Sequence, residues 1–201
     1  MAKRKIPVHN DFCPQALYLY GTTKEDGTPN FGLFCWFSYT SMVTEDGEEM
    51  GVMCCIGGDK LTKDLILKNG IFSANLVSEE MLPLADYYGC VNGRENPDKM
   101  RILPTVEQGQ TLPVPTIAES PVSYELRVVQ EIDLGGGSSV FLCRIAGVTA
   151  KEELLDKEKP LMERFLWAAP VLCPGEERYC SVTGRDLGLW GEPMQKLTEQ
   201  K

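Results

Sequence analysis

The run Ile56-Gly57-Gly58-Asp59-Lys60-Leu61-Thr62 has the makings of an anion site. A glycine pair lets the backbone approach a ligand closely. A helix opening at Leu61 presents free N–H groups and a partial positive charge. Lys60 and Lys63 sit at that positive end, where a cation is disfavoured unless an anion is bound there. The plainer account is that both lysines are solvated and lean on Asp59 and Asp64. The run is not a P-loop, because GxxxxGK[ST] is absent.

A second polar cluster lies upstream. Ser38, Tyr39, Thr40 and Ser41 place four hydroxyls in succession at the exit of the apolar segment FGLFCWFSYT, residues 31–40. In a strand, alternate residues face opposite sides. Phe31, Leu33, Cys35, Phe37 and Tyr39 fall on one face; Gly32, Phe34, Trp36, Ser38 and Thr40 fall on the other. Both faces are apolar as far as Trp36, so both need cover. One side can pack in a core; the other calls for a second sheet, a partner subunit or a flat ligand.

Other chemistries find little support. The eight cysteines form no CxxC and there is one histidine, His9, so the spacings of zinc sites are missing. Cys35, Cys54, Cys55 and Cys143 lie inside apolar runs and read as small, reduced hydrophobes. A strained Cys54–Cys55 disulfide is the alternative, against strict geometric demands. No Ser-His-Asp set or catalytic carboxylate pair stands out. The net charge of −9 and the lack of a basic stripe argue against nucleic acid and anionic membranes. No apolar run reaches membrane-spanning length, and the N-terminus has no apolar h-region. A cytoplasmic protein is expected, with a single domain over 1–201.

The elements that would position these residues are mostly strands. Apolar segments at 16–23, 31–40, 50–58 and 71–77 alternate with the polar loops 24–30 and 44–49, whose Asp-Gly pairs signal hairpins. This favours an antiparallel meander. A helix is expected over 61–70, stopped by Asn69-Gly70. A second helix is expected with Ser78 as N-cap, running to about Tyr88 and closed by Gly89. Residues 92–121 read as an irregular segment, either a lid or interface arm or a plain surface excursion. Residues 123–132 and 140–148 form a long hairpin around Gly135-Gly136-Gly137, of the kind found in barrels. Pro160 opens a short helix, and two short strands follow, near 170–173 and 178–182.

The set PNFG (29–32), FSYTS (37–41), KLTKDL (60–65), FSANL (72–76) and GRDLGLWGEP (184–193), in this order, resembles the flavin reductase-like group of FMN-binding split barrels, flavoredoxin-type proteins included. The resemblance runs from about Pro14 to Leu197. It implies a mainly β fold, a split antiparallel barrel of Greek-key type with a few peripheral helices, and a homodimer with FMN near the subunit interface. It implies Ser38, Thr40, Ser41, Lys60 and Thr62 at the phosphate and ribityl chain. Trp36, Phe37, Cys55, Ile56 and Gly57 would flank or edge the ring, and Tyr39 of the hydroxyl stretch would also belong to the cofactor site. Asn30 and Asn75 would support, and Trp190 would cover the ring or pack on a partner chain. The activity implied is electron transfer between NAD(P)H or a protein donor and flavin or a protein acceptor. An NAD(P)H-dependent flavin oxidoreductase and a flavoredoxin-like carrier without NAD(P)H oxidation both fit, and a non-redox ligand-binding barrel is the alternative from another class. Flavin chemistry asks few acids or bases of the protein, so a missing catalytic set is consistent with it.

Overall fold

The computed structural model describes residues 3–44 and 47–185. The first half of the chain runs β1 (Gln15–Ala16), β2 (Tyr18–Thr23), β3 (Pro29–Phe34), β4 (Phe37–Thr44), β5 (Gly47–Ile56), α1 (Leu61–Asn69) and β6 (Ile71–Leu76). Then come α2 (Leu82–Cys90), a 3-10 helix (Pro97–Arg101), β7 (Val106–Gln108), β8 (Pro115–Ile117), β9 (Val122–Gly135) and β10 (Ser138–Ala150). The last elements are α3 (Glu152–Leu155), α4 (Leu161–Ala168), β11 (Leu172–Gly175) and β12 (Arg178–Cys180).

Seven strands form one antiparallel sheet in the order β3-β2-β6-β9-β10-β5-β4. The edge strands β3 and β4 are consecutive in the chain, yet they do not pair with each other. The barrel is therefore split. Alternation explains how the sheet curls around its core. In β5, Val52, Cys54 and Ile56 are fully buried, while Met53 is 44% exposed. In β10, Phe141 and Cys143 point inward to meet them, together with Tyr20, Phe72 and Leu126. The outer face carries Met53, Cys55, Val140 and Leu142 in register across β5 and β10. A second apolar cluster, including Leu19, Phe31, Val77, Ala85 and Tyr88, seats α2.

The expected strand over 31–40 is two strands. β3 pairs with β2 as far as Phe34, and β4 pairs with β5 from Phe37. Between them Cys35-Trp36 turns: the Phe37 N–H donates to the Cys35 carbonyl at 3.0 Å, and the Cys55 N–H to the Trp36 carbonyl at 2.9 Å. The apolarity read on both faces of one strand belongs to strands at opposite edges of the sheet. The first helix and its stop are as expected: Gly70 takes a left-handed φ of 67° and donates its N–H to Ile66. The second helix starts later than expected. Ser78 pairs with Pro170 instead of capping, a turn through Glu79 and Glu80 intervenes, and α2 then includes Gly89. The hairpins at 24–28, β4–β5 and β9–β10 and the helix after Pro160 agree with the sequence reading.

Residues 106–117 form a short β arm, β7 with β8, instead of loop throughout. Glu125, fully buried in β9, anchors the turn between them. Its carboxylate accepts the N–H groups of Gln110 at 2.9 Å, Thr111 at 2.8 Å and Leu112. Three such bonds compensate a buried charge. Among the described residues, no helix is long and apolar enough to cross a membrane.

Candidate functional site

Lys60 sits at the N-cap of α1 with extended backbone and no side-chain cap of its own. Thr62, the second residue of α1, is buried, and the Asn30 amide donates to its hydroxyl at 3.0 Å. Asn30 lies on β3, so this bond ties α1 to the sheet edge. Gly32, two residues on, allows the approach: a Cβ there would lie 2.6 Å from Thr62 Oγ1. The Thr62 proton has no acceptor among the described residues, so it is free to donate to a ligand oxygen.

A cavity of about 90 Å³ opens at this junction, lined by Asn30, Gly32, Lys60, Thr62, Gly93 and Lys99 among others. Lys99 is 7% exposed and comes from the 3-10 helix, held from below by α2. Its ammonium donates to the Tyr88 carbonyl at 2.8 Å and stands 5.7 Å from the centre of the Tyr88 ring. Burial, and then the charge of Lys60, hold the Lys99 pKa down at about 8. Neither lysine is paired with a carboxylate among the described residues, and no carboxylate lines the cavity. Two unneutralised cations, a free hydroxyl proton and a helix N-terminus converge on one small space, as a phosphate requires. The plainer account, lysines solvated and leaning on Asp59 and Asp64, fails in its partners: both carboxylates pair with Arg94, Lys60 is exposed without one among the described residues, and Lys63 is not solvated. Its ammonium is buried and donates to the Gly137 carbonyl, fastening the β9–β10 turn to α1.

The cavity borders a second feature. Phe34 on its wall leads in two residues to Trp36, and Lys60 leads back in three to Gly57. Trp36 and Gly57 are in contact, for a Cβ on Gly57 would meet the indole at 3.2 Å. Trp36 is 46% exposed. Cys55 is half-buried beside it, and its thiol is pushed up by burial and by Cys54, which favours the neutral form. Phe37 and Ile56 turn their side chains inward, Phe37 stacking on Tyr18 at 4.2 Å, so only their backbones border this corner.

The hydroxyl stretch lies elsewhere. Tyr39, Thr40 and Ser41 line a separate open groove of about 520 Å³ with Glu48, Glu49 and Met50. Ser41 donates to Glu48, and Arg144 pairs with Glu49 at 2.6 Å. Two carboxylates make this a poor place for a phosphate. Ser38 is exposed on the outer face opposite Met53, and the Tyr39 hydroxyl meets that of Tyr124 at 2.6 Å. Asn75 is fully buried away from both spaces. It donates to Leu19 and Ser73 and accepts from Ile117 N–H and Ser123, joining β6 to β8 and β9. Trp190 lies outside the described residues.

Lys99 had no signal in the sequence reading. It sits in a segment with no periodicity, 39 positions from Lys60, and only the fold of residues 92–101 brings it over α1. Among the described residues, no cluster of three or more His, Cys, Asp or Glu side chains is arranged to hold a metal ion.

Comparison with known proteins agrees on the architecture. The model of the flavin reductase like domain matches residues 11–170. An uncharacterized protein of Aeropyrum pernix is 28% identical over 156 residues, a match covering 73% of this chain and 58% of that protein. The flavoredoxin of Methanosarcina acetivorans superposes with a TM-score of 0.81 at 23% identity, over 98% of this chain and all of that one. The flavoredoxin of Desulfovibrio vulgaris (Miyazaki F) gives 0.77 at 21% identity, over 96% and 100%. An FMN-binding protein of Thermus thermophilus, solved with p-hydroxybenzaldehyde, gives 0.71 at 22%, over 94% and 98%.

Proposed function

The chain belongs to the flavin reductase like domain family, and on that premise we propose that it binds FMN and serves in electron transfer. The observation that carries this reading is the pair Lys60 and Lys99 facing one cavity without a counter-charge. The similar flavoredoxins and the FMN-binding protein support it.

In this reading Lys60, Lys99 and the Thr62 hydroxyl hold the phosphate, and Asn30 aims the hydroxyl. Trp36, with the backbone of Cys55, Ile56 and Gly57, borders the ring. FMN, when bound, supplies the redox chemistry, accepting and releasing electrons at its ring system. The protein contributes orientation, charge neutralisation at the phosphate and partial exclusion of water. Residues 1–201 act as one such unit. In the same reading a second copy covers the outer sheet face bearing Met53, Cys55, Val140 and Leu142, giving a homodimer, and the protein works in the cytoplasm.

The electron donor is NAD(P)H or a redox protein. A flavin reductase oxidises NAD(P)H steadily when free flavin is supplied. A flavoredoxin-like carrier retains FMN tightly and oxidises NAD(P)H negligibly. Titrating the purified protein with FMN, then assaying NAD(P)H oxidation with and without free flavin, separates these two. A protein that takes up no FMN is a barrel for some other ligand.

A further inference from the structure

Arg94 reaches from the irregular segment after α2 to the start of α1. Its guanidinium pairs with Asp59 at 2.7 Å and with Asp64 in the first helical turn. Between Arg94 and Lys99 the segment is held by its own bonds. Arg94 N–H donates to Asn92 Oδ1 at 3.0 Å, Asn96 N–H to the Asn92 carbonyl at 2.9 Å, and Lys99 N–H to the Asn96 carbonyl at 3.1 Å. Gly93 lies over the cation-lined cavity, where an added Cβ would stand 3.4 Å from Leu61 and 3.5 Å from Lys99. Asn92, Gly93 and Lys99 thus line one wall of the cavity, and residues 94–98 connect them. Their side-chain ion pairs to the opposite wall among the described residues are the two made by Arg94.

We propose that Arg94 is a latch: its pairs with Asp59 and Asp64 close the 92–99 wall over the cavity and set how fast a phosphate-bearing ligand enters and leaves. All three side chains are partly exposed, 39% for Arg94, 44% for Asp64 and 74% for Asp59. Exposed pairs of this kind are weak and screened by salt, so the latch opens readily. Phe34 on β3 and Tyr88 on α2 line the cavity from outside this segment, so opening moves the 92–99 wall and leaves those two residues in place. The role of the ligand rests on the FMN reading; the mobility of the wall does not.

Two variants separate a latch from simple electrostatics. Arg94→Ala removes a positive charge near the cavity, whereas Asp59→Asn with Asp64→Asn removes two negative ones. Charge alone would speed FMN release in the first and slow it in the second. The latch predicts faster release in both, by about tenfold. Stopped-flow displacement of FMN reads this, and slower or unchanged release in the Asp59→Asn/Asp64→Asn variant overturns the latch. Hydrogen exchange of the ligand-free protein gives an independent arm. The amides of Asn96 and Lys99 exchange faster in both variants than in the parent, and equal rates refute the latch. If no form binds FMN, the FMN reading fails while the exchange arm still decides the latch.

Discussion

Asn30 and Thr62 lie 32 positions apart, and the Asn30 amide donates to the Thr62 hydroxyl at 3.0 Å in a buried site. The bond fixes the start of α1 against the edge strand β3 and leaves the hydroxyl proton available to a ligand oxygen. Asn30 also donates to Thr22 at 3.2 Å, so its amide bridges two elements. Asn30→Ala should lower the unfolding free energy by about 1–3 kcal/mol, because buried polar groups lose their partner. FMN affinity should fall with it, beyond what riboflavin loses. Denaturant unfolding and flavin titration measure the two. Equal losses for both flavins would mean that Thr62 does not reach the phosphate.

The lysines give a sharper chemical test. Charge-assisted contacts contribute about 1.5–3 kcal/mol, so Lys60→Ala or Lys99→Ala should weaken FMN by roughly tenfold to a hundredfold. Riboflavin has no phosphate and should be nearly unaffected. Fluorescence titration of both flavins checks this. An unchanged FMN affinity in both variants would move the phosphate elsewhere.

Lys60 and Thr62 were legible in the sequence because their signal is local: glycines, a lysine and a helix start within seven residues. Lys99 was not, because its place depends on how residues 92–101 fold over α1. The split between β3 and β4 was also hidden. Hydropathy records that Phe34 and Phe37 pack against a core, but not that one belongs beside β2 and the other beside β5. The surroundings of Tyr39, Thr40 and Ser41 were hidden for the same reason, since the carboxylates of Glu48 and Glu49 join them in one groove only once β5 pairs with β4.

Lys99 also sets a pH dependence. Its pKa of about 8 lies below the ordinary 10.5, held down by burial and by Lys60. FMN phosphate is already dianionic here, with a second pKa of about 6. FMN affinity should therefore fall as pH rises through about 8 and Lys99 loses its charge. Stability of the ligand-free protein should move the other way. Between about 8 and 10.5 the unfolded lysine holds a proton that the folded one has lost, so stability rises with pH over that window. Flavin titration and unfolding at several pH values test both slopes. FMN affinity that stays flat from pH 7 to 9 would remove Lys99 from the site.

Gly32→Ala should strain the junction of β3 and α1. The new Cβ would lie 2.6 Å from Thr62 Oγ1 and 2.9 Å from the Phe34 ring, two neighbours that are themselves packed. The expected loss is about 1–3 kcal/mol in unfolding free energy, with weaker FMN binding. A variant as stable as the parent would show that the junction relaxes without cost.

The outer sheet face predicts the assembly. Met53 is 44% exposed in the single chain and stands in register with Leu142. The parent protein should sediment as a dimer at micromolar concentration, and Met53→Lys should shift it toward monomer. A parent that sediments as a monomer contradicts this.

In the proposed function this chain holds FMN by its phosphate. The most direct measurement is the visible absorption spectrum of the purified protein after incubation with excess FMN and desalting, beside a riboflavin control. Flavin absorbance at one FMN per chain is expected, with riboflavin largely lost on the column. A protein that stays colourless after FMN, or that keeps both flavins equally, contradicts this.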